Sequence, residues 1–190
     1  MAISVPFASI SLFTPTIISG LGYEGLNAQL FTVPPYAISF VVTLLLAWQT
    51  DKHNIRAWGS VFALAAAGAS FLAQGALPPD AFTARYGLLC VSVTFAFACV
   101  APILSWLTGN LRNTGASTLA VPLNVSIGQF GQIIGVNIYK TSEAPGYPTG
   151  HFTNAAFLIG SAIVVLILRG VYVHRNRQLV GQDGALRWKL

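Results

Sequence analysis

Four carboxamide side chains are spaced along one uncharged stretch of the chain, and together they could bind a solute. They are Asn124, Gln129, Gln132 and Asn137, within a segment, residues 113–139, that contains no Asp, Glu, Lys or Arg. A carboxamide both donates and accepts hydrogen bonds, and leaving one unpaired in hydrocarbon is costly. Its partner can be a neighbouring helix, water in a cavity, or a solute. We interpret the segment as the wall of a solute pathway.

Three glycines in the same stretch predict close helix packing. Gly128, Gly131 and Gly135 are separated by three and four residues, so they lie on one face of a helix. The pair Gly131 and Gly135 forms a G-x-x-x-G pattern, which in membranes lets two helix backbones approach closely. We therefore expect these glycines to pack against a sister helix.

Other kinds of chemistry have little support in the sequence. It contains no metal-ligand cluster, phosphate-binding loop or dinucleotide-binding glycine motif, and no carboxylate falls within a predicted helix. Cys90 and Cys99 are nine residues apart, which places them on opposite faces of one helix, so we interpret them as packing residues. An intramembrane enzyme needs a catalytic constellation, and a channel needs a charged or carbonyl-rich constriction. We predict no enzyme, no cofactor and no metal.

The positions of the few charges predict how the chain is divided into elements. Only 8% of residues are charged, whereas soluble domains carry about a quarter. Six intervals without charged residues are each long enough for a membrane-spanning helix of roughly 20 residues. They are residues 1–23, 25–50, 57–79, 86–111, 113–139 and 144–168. The corresponding helices are predicted at about 3–19, 28–48, 57–77, 86–107, 117–139 and 152–168.

The net charge of +5 is explained by membrane topology rather than by nucleic-acid binding. If the first helix runs outward, eight of the ten basic residues face the cytoplasm, and only Arg85 and Lys140 lie in outer loops. The predicted organisation is a transmembrane bundle at residues 1–173 and a basic, weakly ordered cytoplasmic tail at 174–190. The start of the chain lacks a basic region before its apolar stretch, so no cleaved signal peptide is expected.

Two further polar residues lie beside prolines. Thr14 precedes Pro15, and Tyr36 follows Pro34 and Pro35. A hydroxyl beside a proline either satisfies a backbone carbonyl or faces a cavity in a kinked helix. Both interpretations of Thr14 remain open. Tyr36 lies about a third of the way along its predicted helix, which favours a cavity over the membrane interface.

The segment from Asn124 to His151 resembles a known transporter family. It reads GQFGQIIGVNIY and then SEAPGYPTGH. This is similar to the pattern GN-x-GG-x-IGSNIY followed by DAP-x-Y-x-x-GH in fungal anion:cation symporters of the major facilitator superfamily, which include allantoate, nicotinate and pantothenate permeases. The departures are Gln129, Gln132, Val136 and Glu143. The words FTPTIISGLGY, AQLFTVPPY, TDKHNIR and PILSWLTGN also match in family order, over the second half of a typical member.

The resemblance implies an all-α membrane fold, in which six transmembrane helices form one six-helix bundle, the C-terminal half of a major facilitator fold. In that fold the first, second, fourth and fifth helices face a central cavity. The sixth helix is apolar nearly throughout and is expected to be peripheral. The expected solute contacts are Thr14, Tyr36, Asn124, Gln129, Gln132 and Asn137.

The resemblance also implies functional loops. The loop TDKHNIR is similar to a cytoplasmic loop of the superfamily in which Asp51 and Arg56 would act as a conformational latch, with the Asp on helix amides and the Arg on a carboxylate of another helix. Simple positive-inside anchoring is the alternative. Relatives tend to have a basic pair where Ala116 and Ser117 stand here.

The function expected from these observations is secondary transport of a small anionic organic solute by alternating access. A truncated half-transporter without activity of its own is the alternative. The expected partners are the lipid bilayer, a small organic solute and a second six-helix bundle, either a missing half or a copy of this chain, with no nucleic acid. The resemblance implies the plasma membrane or, as the alternative, an endomembrane.

Overall fold

The computed structural model describes residues 2–20, 22, 25–78, 80–111, 114–144, 146–179 and 188–189. Its regular structure is helical. Eight α-helices occur in the described chain, and a short 3-10 helix at Thr141–Glu143 precedes the last of them. They are α1 (Ser4–Gly20), α2 (Gly25–Leu30), α3 (Val33–Lys52), α4 (Arg56–Ala76), α5 (Phe82–Ala98), α6 (Val100–Gly109), α7 (Thr114–Gly135) and α8 (Pro148–Gln178).

Four helical segments are long and apolar enough to cross a membrane. Counted across short breaks, they are Gly25–Lys52, Arg56–Ala76, Phe82–Gly109 and Pro148–Gln178. The helix Ser4–Gly20 is apolar but shorter, with 17 residues. Large apolar side chains on α3, α7 and α8 are exposed, among them Phe40, Phe130 and Val164. These features define an integral membrane protein with a helical fold, and six spans remain a prediction.

Two predicted helices are each divided by a local break. In place of one helix at 28–48, α2 ends at Leu30 and α3 begins at Val33, so that Pro34 and Pro35 lie in its first turn. A proline is tolerated there because the first N–H groups of a helix have no intrahelical acceptor. In place of one helix at 86–107, α5 ends at Ala98 and α6 begins at Val100. Pro102 cannot donate a hydrogen bond to the carbonyl four residues earlier, at Ala98.

The helix predicted at 117–139 occupies Thr114–Gly135 instead. It ends four residues earlier because Asn137 turns back on it, and the Asn137 amide donates to the Ile133 carbonyl at 2.8 Å. This bond satisfies one of the carbonyls that a helix end leaves without a partner. Tyr139 consequently lies outside the helix, in the loop before α8.

The last helix is longer than predicted, running from Pro148 to Gln178 rather than from 152 to 168. The prediction stopped at the first charge, Arg169, but cations are favourable in the last turns of a helix because they face its negative end. Arg175 and Arg177 occupy that last turn. The first five residues of the predicted tail, 174–178, are therefore helical. Trp188 and Lys189, predicted to be weakly ordered, are docked against α6 and α8.

The helices are arranged around α4, which packs most extensively against α8 and also against α5. Small residues make this possible, because Ala57, Ala63 and Ala67 are fully buried. Polar contacts add to it, since the Gln74 amide of α4 donates to the Ser92 hydroxyl of α5 at 3.1 Å. Helices α3 and α5 also pack extensively, and α1 and α7 form a further contact.

Helices α1 and α7 run in the same direction. Gly128 of α7 faces the Ser4 hydroxyl, because a Cβ atom at that glycine would lie 3.0 Å from it. At the C-terminal end of α7, a Cβ atom at Gly135 would collide with the backbone carbonyl oxygen of Val5 and lie 3.2 Å from the Cβ of Ala8. The absence of a side chain at Gly135 is thus what allows the two backbones to approach.

Candidate functional site: a cavity lined by carboxamides

A cavity of about 510 Å³ lies between α1, α6, α7 and α8. Its wall is mainly apolar, and the described residues that line it carry no charge. They are Ala2, Ile3, Ser4, Phe7, Val100, Ile103, Leu104, Asn124, Val125, Gly128, Gln129, Gln132, Gly160, Ser161, Val164 and Val165. A space of this size is within the range of small-molecule pockets.

One face of α7 supplies the polar part of the wall. Asn124, Gly128 and Gln132 are four residues apart, and Gln129 lies beside them, so all four face the cavity. The three carboxamides offer donors and acceptors to whatever the cavity holds. Gly128 keeps the wall close to α1. The structure therefore brings together three of the six residues that were expected to contact solute.

The other three expected contacts do not line this cavity. The Thr14 hydroxyl is fully buried and donates to the Ile10 carbonyl at 2.6 Å, which is the local alternative considered above. Asn137 is exposed and caps the end of α7. Tyr36 is half-buried, and its ring packs edge-on against Phe97 at 5.6 Å between centroids.

Two serines in the wall were not predicted. Ser4 was not among the expected solute contacts, and Ser161 lies on the helix that was expected to be peripheral, yet both line the cavity. The Ser161 hydroxyl donates to Phe157 of its own helix at 2.7 Å, so its oxygen lone pairs can still accept a hydrogen bond. The second predicted helix, expected to face the cavity, supplies none of the lining residues. No sequence signal distinguishes these serines from packing residues.

A second cluster of polar side chains is buried between α1, α8 and the loop that joins α7 to α8. The Asn154 amide donates to the Ser9 hydroxyl at 2.8 Å and to the Tyr139 hydroxyl at 3.2 Å. The Tyr139 hydroxyl is 3.3 Å from Nδ1 of His151, which is completely buried. If Tyr139 donates to Nδ1, His151 carries its proton on Nε2, an atom that has no partner among the described residues. This cluster joins α1 to α8 and to the loop between α7 and α8.

Arg85 contacts the same loop between α7 and α8, and its position was predicted wrongly. It was expected in an outer loop, but α5 begins at Phe82, and Arg85 is only 2% exposed. Nη2 of the guanidinium donates to the Gly146 carbonyl, whereas Nη1 has no partner in the part of the chain that the structure describes. A buried ionisable residue in a membrane segment is a candidate for function. The only indication in the sequence is that Arg85 directly precedes an uncharged interval, where a charged residue can still lie inside the helix.

The outer loop is fastened to the start of α8 by Glu143. Its carboxylate accepts from the Thr149 hydroxyl at 2.6 Å and from the Thr149 backbone N–H at 3.0 Å. The carboxylate lies near the N-terminus of α8, whose partial positive charge also stabilises it. These bonds to Thr149, aided by Lys140, hold the pKa of Glu143 below its ordinary value.

Substitution of Glu143 by Gln is expected to lower the melting temperature at neutral pH. Because the folded pKa is below the unfolded one, the stabilisation is present above the unfolded pKa, about 4.3, and is lost as the pH falls through the folded pKa. The measurement is thermal unfolding of both proteins in detergent from pH 7 to pH 3. The difference should shrink at the acid end, and a difference that is constant with pH would contradict the assignment.

The predicted latch residues bind each other. Nε of Arg56, the first residue of α4, is 2.7 Å from a carboxylate oxygen of Asp51 in the last turn of α3, so Arg56 pairs with a carboxylate of the neighbouring helix. Asp51 also contacts a third helix, because it accepts a weak bond from the Ser105 hydroxyl of α6 at 3.5 Å. The end of α3 and the start of α4 come together because Asn54, between them, takes a left-handed conformation (φ 52°) that turns the chain back. Of the basic-pair positions, residues 116 and 117, the structure does not describe the side chains.

The chain is similar to fungal transporters over nearly its whole length. It is 47% identical over 186 residues to the MFS transporter prlL of a fungal species, a match that covers 97% of this chain and 38% of the relative. It is 30% identical over 188 residues to the MFS-type transporter cnsO of Penicillium expansum, covering 96% of this chain and 36% of the relative. No protein-family model matches the chain. No solved structure matches it either.

A third relative is the high-affinity nicotinic acid transporter of Saccharomyces cerevisiae, 26% identical over 171 residues, 88% of this chain and 31% of the relative. These homologues support assignment of the chain to the major facilitator superfamily, without selecting a subfamily within it. They are named as transporters rather than enzymes, as predicted. The chain spans a little over a third of the length of the first relatives named here.

Proposed function

We propose that this chain forms one half of a secondary transporter, which moves a small anionic organic solute by alternating access. The observation that carries the proposal is the row of Asn124, Gln129 and Gln132 along one wall of the cavity. A second six-helix bundle, from a missing half or from a second copy, would supply the opposite wall. In such folds the solute site lies at the interface between the two repeats.

The wall suits a solute that is bound by hydrogen bonds and apolar contact. Amide N–H groups donate to a carboxylate or to a ring nitrogen, and the apolar lining covers the rest of a small organic molecule. Because the described lining has no cation, the charge of a carboxylate is balanced from the opposite bundle. Relatedness to a nicotinic acid transporter supports a small carboxylate as the solute. We place the transporter in the plasma membrane.

Asn124→Leu and Gln129→Leu are expected to reduce uptake. Each replaces a hydrogen-bonding carboxamide of the wall by an apolar side chain, so solute affinity should fall by roughly threefold to tenfold per substitution. The measurement is the concentration dependence of labelled nicotinate, pantothenate and allantoate uptake. Ser126→Leu is the matched control, because Ser126 is exposed on α7 but does not line the cavity. Equal losses in all three variants would mean that the amides have no special role.

A second candidate is a half-transporter that has no activity alone. It is favoured by the short span of the match, which covers 38% of one relative and 36% of another. Expression of this chain alone, with insertion verified, separates the two. Uptake above the empty-vector control supports a self-paired half, whereas uptake only on co-expression with the first half of a relative supports the inactive half.

A further inference from the structure

The end of the bundle that carries the basic loops holds the segment Trp188–Lys189 in a polar cleft. Two carboxamide side chains, Asn110 just after α6 and Asn176 of α8, bind the backbone of this segment. Each donates one hydrogen bond to it and accepts one from it. The Asn110 amide donates to the Lys189 carbonyl at 3.2 Å and accepts from the Lys189 N–H at 2.7 Å. The Asn176 amide does the same for Trp188, at 2.8 and 2.7 Å. Two carboxamides thus satisfy four backbone groups, as a neighbouring strand would.

Aromatic side chains complete the cleft. The Trp188 ring stacks on Tyr172 of α8, with centroids 4.9 Å apart and planes 10° apart. Tyr172 in turn packs edge-on against Trp106 of α6 at 5.4 Å. The Trp106 indole donates to the Lys189 carbonyl at 2.8 Å, and its side chain is only 4% exposed. The polar atom of the Trp106 side chain is therefore bound to this segment.

The cleft lies beside the Asp51–Arg56 pair. A Cβ atom at Gly109 would lie 3.0 Å from Nη1 of Arg56 and 3.2 Å from Cδ of Lys189, so both cationic side chains meet at the end of α6. Helices α6 and α8 also line the cavity. Asn110 follows the cavity residue Leu104 by less than two turns, and Asn176 follows Val165 by about three. A contact that holds these ends together also restricts the cavity.

We propose that the cytoplasmic ends of α6 and α8 form a backbone-binding cleft whose occupant is this chain's own Trp188–Lys189 segment, and that docking holds this end closed. The segment is bound in cis, because it lies in the same chain as both asparagines and connects to α8. Backbone recognition makes most of the cleft tolerant of sequence, whereas Trp188 supplies the specific contact. The docking does not depend on the identity of the solute or on transport.

The test measures access to the cavity from the cytoplasmic side. Leu104→Cys, a cavity residue that is 36% exposed, is the reporter in a protein in which Cys90 and Cys99 are replaced by serine and alanine. Its reaction with a membrane-impermeant maleimide is followed in inside-out vesicles. Addition of Trp188→Ala or Asn176→Leu should raise the labelling rate by roughly threefold to tenfold, the factor expected for loss of a stacked aromatic contact. Arg177→Ala, an exposed change on the same helix, is the control.

Two results would overturn the proposal. Unchanged labelling in both Trp188→Ala and Asn176→Leu, with insertion intact, would mean that docking does not close this end. A wild-type labelling rate that depends on protein density in the vesicles would mean that the segment binds a second molecule. Thermal unfolding gives an independent readout, because Trp188→Ala and Asn176→Leu act on one contact and their melting-temperature losses should be less than additive. Additive losses would contradict a shared cleft.

Discussion

Gly135→Val is expected to destabilise the protein by about 3 kcal/mol, because the added methyl groups meet backbone and cannot be accommodated by a rotamer change. The Cβ atom alone would collide with the Val5 carbonyl oxygen and lie 3.2 Å from the Cβ of Ala8. Helix α7 would have to move away from α1, and the cavity between them would change shape. The measurement is the melting temperature in detergent together with the monodisperse fraction in size-exclusion chromatography.

The control for that substitution is Gly87→Val on α5. Nothing lies within 4 Å of a Cβ atom at Gly87, and valine has a higher helix propensity than glycine. We expect its stability to equal or slightly exceed that of the wild type. If Gly135→Val were as stable as Gly87→Val, the close approach of α1 and α7 would not be a feature of the folded protein.

Asn154→Leu is expected to cost about 2 kcal/mol by breaking the buried cluster that joins α1 to α8. Leucine keeps the branched shape and the number of heavy atoms but removes the bonds to the hydroxyls of Ser9 and Tyr139. Both hydroxyls are buried, so water cannot readily replace the lost partner. The measurement is thermal unfolding of both proteins at a pH where Glu143 is ionised, so that the contribution of that carboxylate is the same in both and cancels.

Ser161→Ala serves as the reference for Asn154→Leu on the same helix. The Ser161 hydroxyl donates within α8 only, to Phe157, so its removal breaks no contact between helices. The expected loss is below about 0.5 kcal/mol. A melting temperature of Asn154→Leu at or above that of Ser161→Ala would show that the polar cluster does not stabilise the fold.

The helical membrane fold could be predicted because hydrocarbon excludes charge, so the intervals between charged residues mark the apolar segments. The same reasoning misplaced the ends. Arg85 and Arg169 were treated as boundaries, yet one lies inside α5 and the other inside α8. A buried guanidinium is tolerated where a carbonyl such as that of Gly146 accepts a hydrogen bond from it, and that carbonyl is 61 residues away in sequence.

The candidate site shows the same division between local and distant information. Helix periodicity is local, and it is enough to place Asn124, Gln129 and Gln132 on one face of α7. Whether an amide or hydroxyl binds its own helix is decided by the neighbours it finds, as Thr14 and Asn137 show. Pairings such as Ser9 with Asn154 depend on how distant helices pack, which no spacing in the sequence indicates.

The most direct test of the proposed function is uptake of labelled nicotinate by cells that co-express this chain with the first half of a related transporter. We predict uptake above that of either half alone, lost or strongly reduced with Asn124→Leu or Gln129→Leu and retained with Ser126→Leu. Uptake that is insensitive to the two cavity substitutions would contradict the site on α7. If both halves insert and assemble but no nicotinate, pantothenate or allantoate is taken up, transport of a small carboxylate or ureide is contradicted.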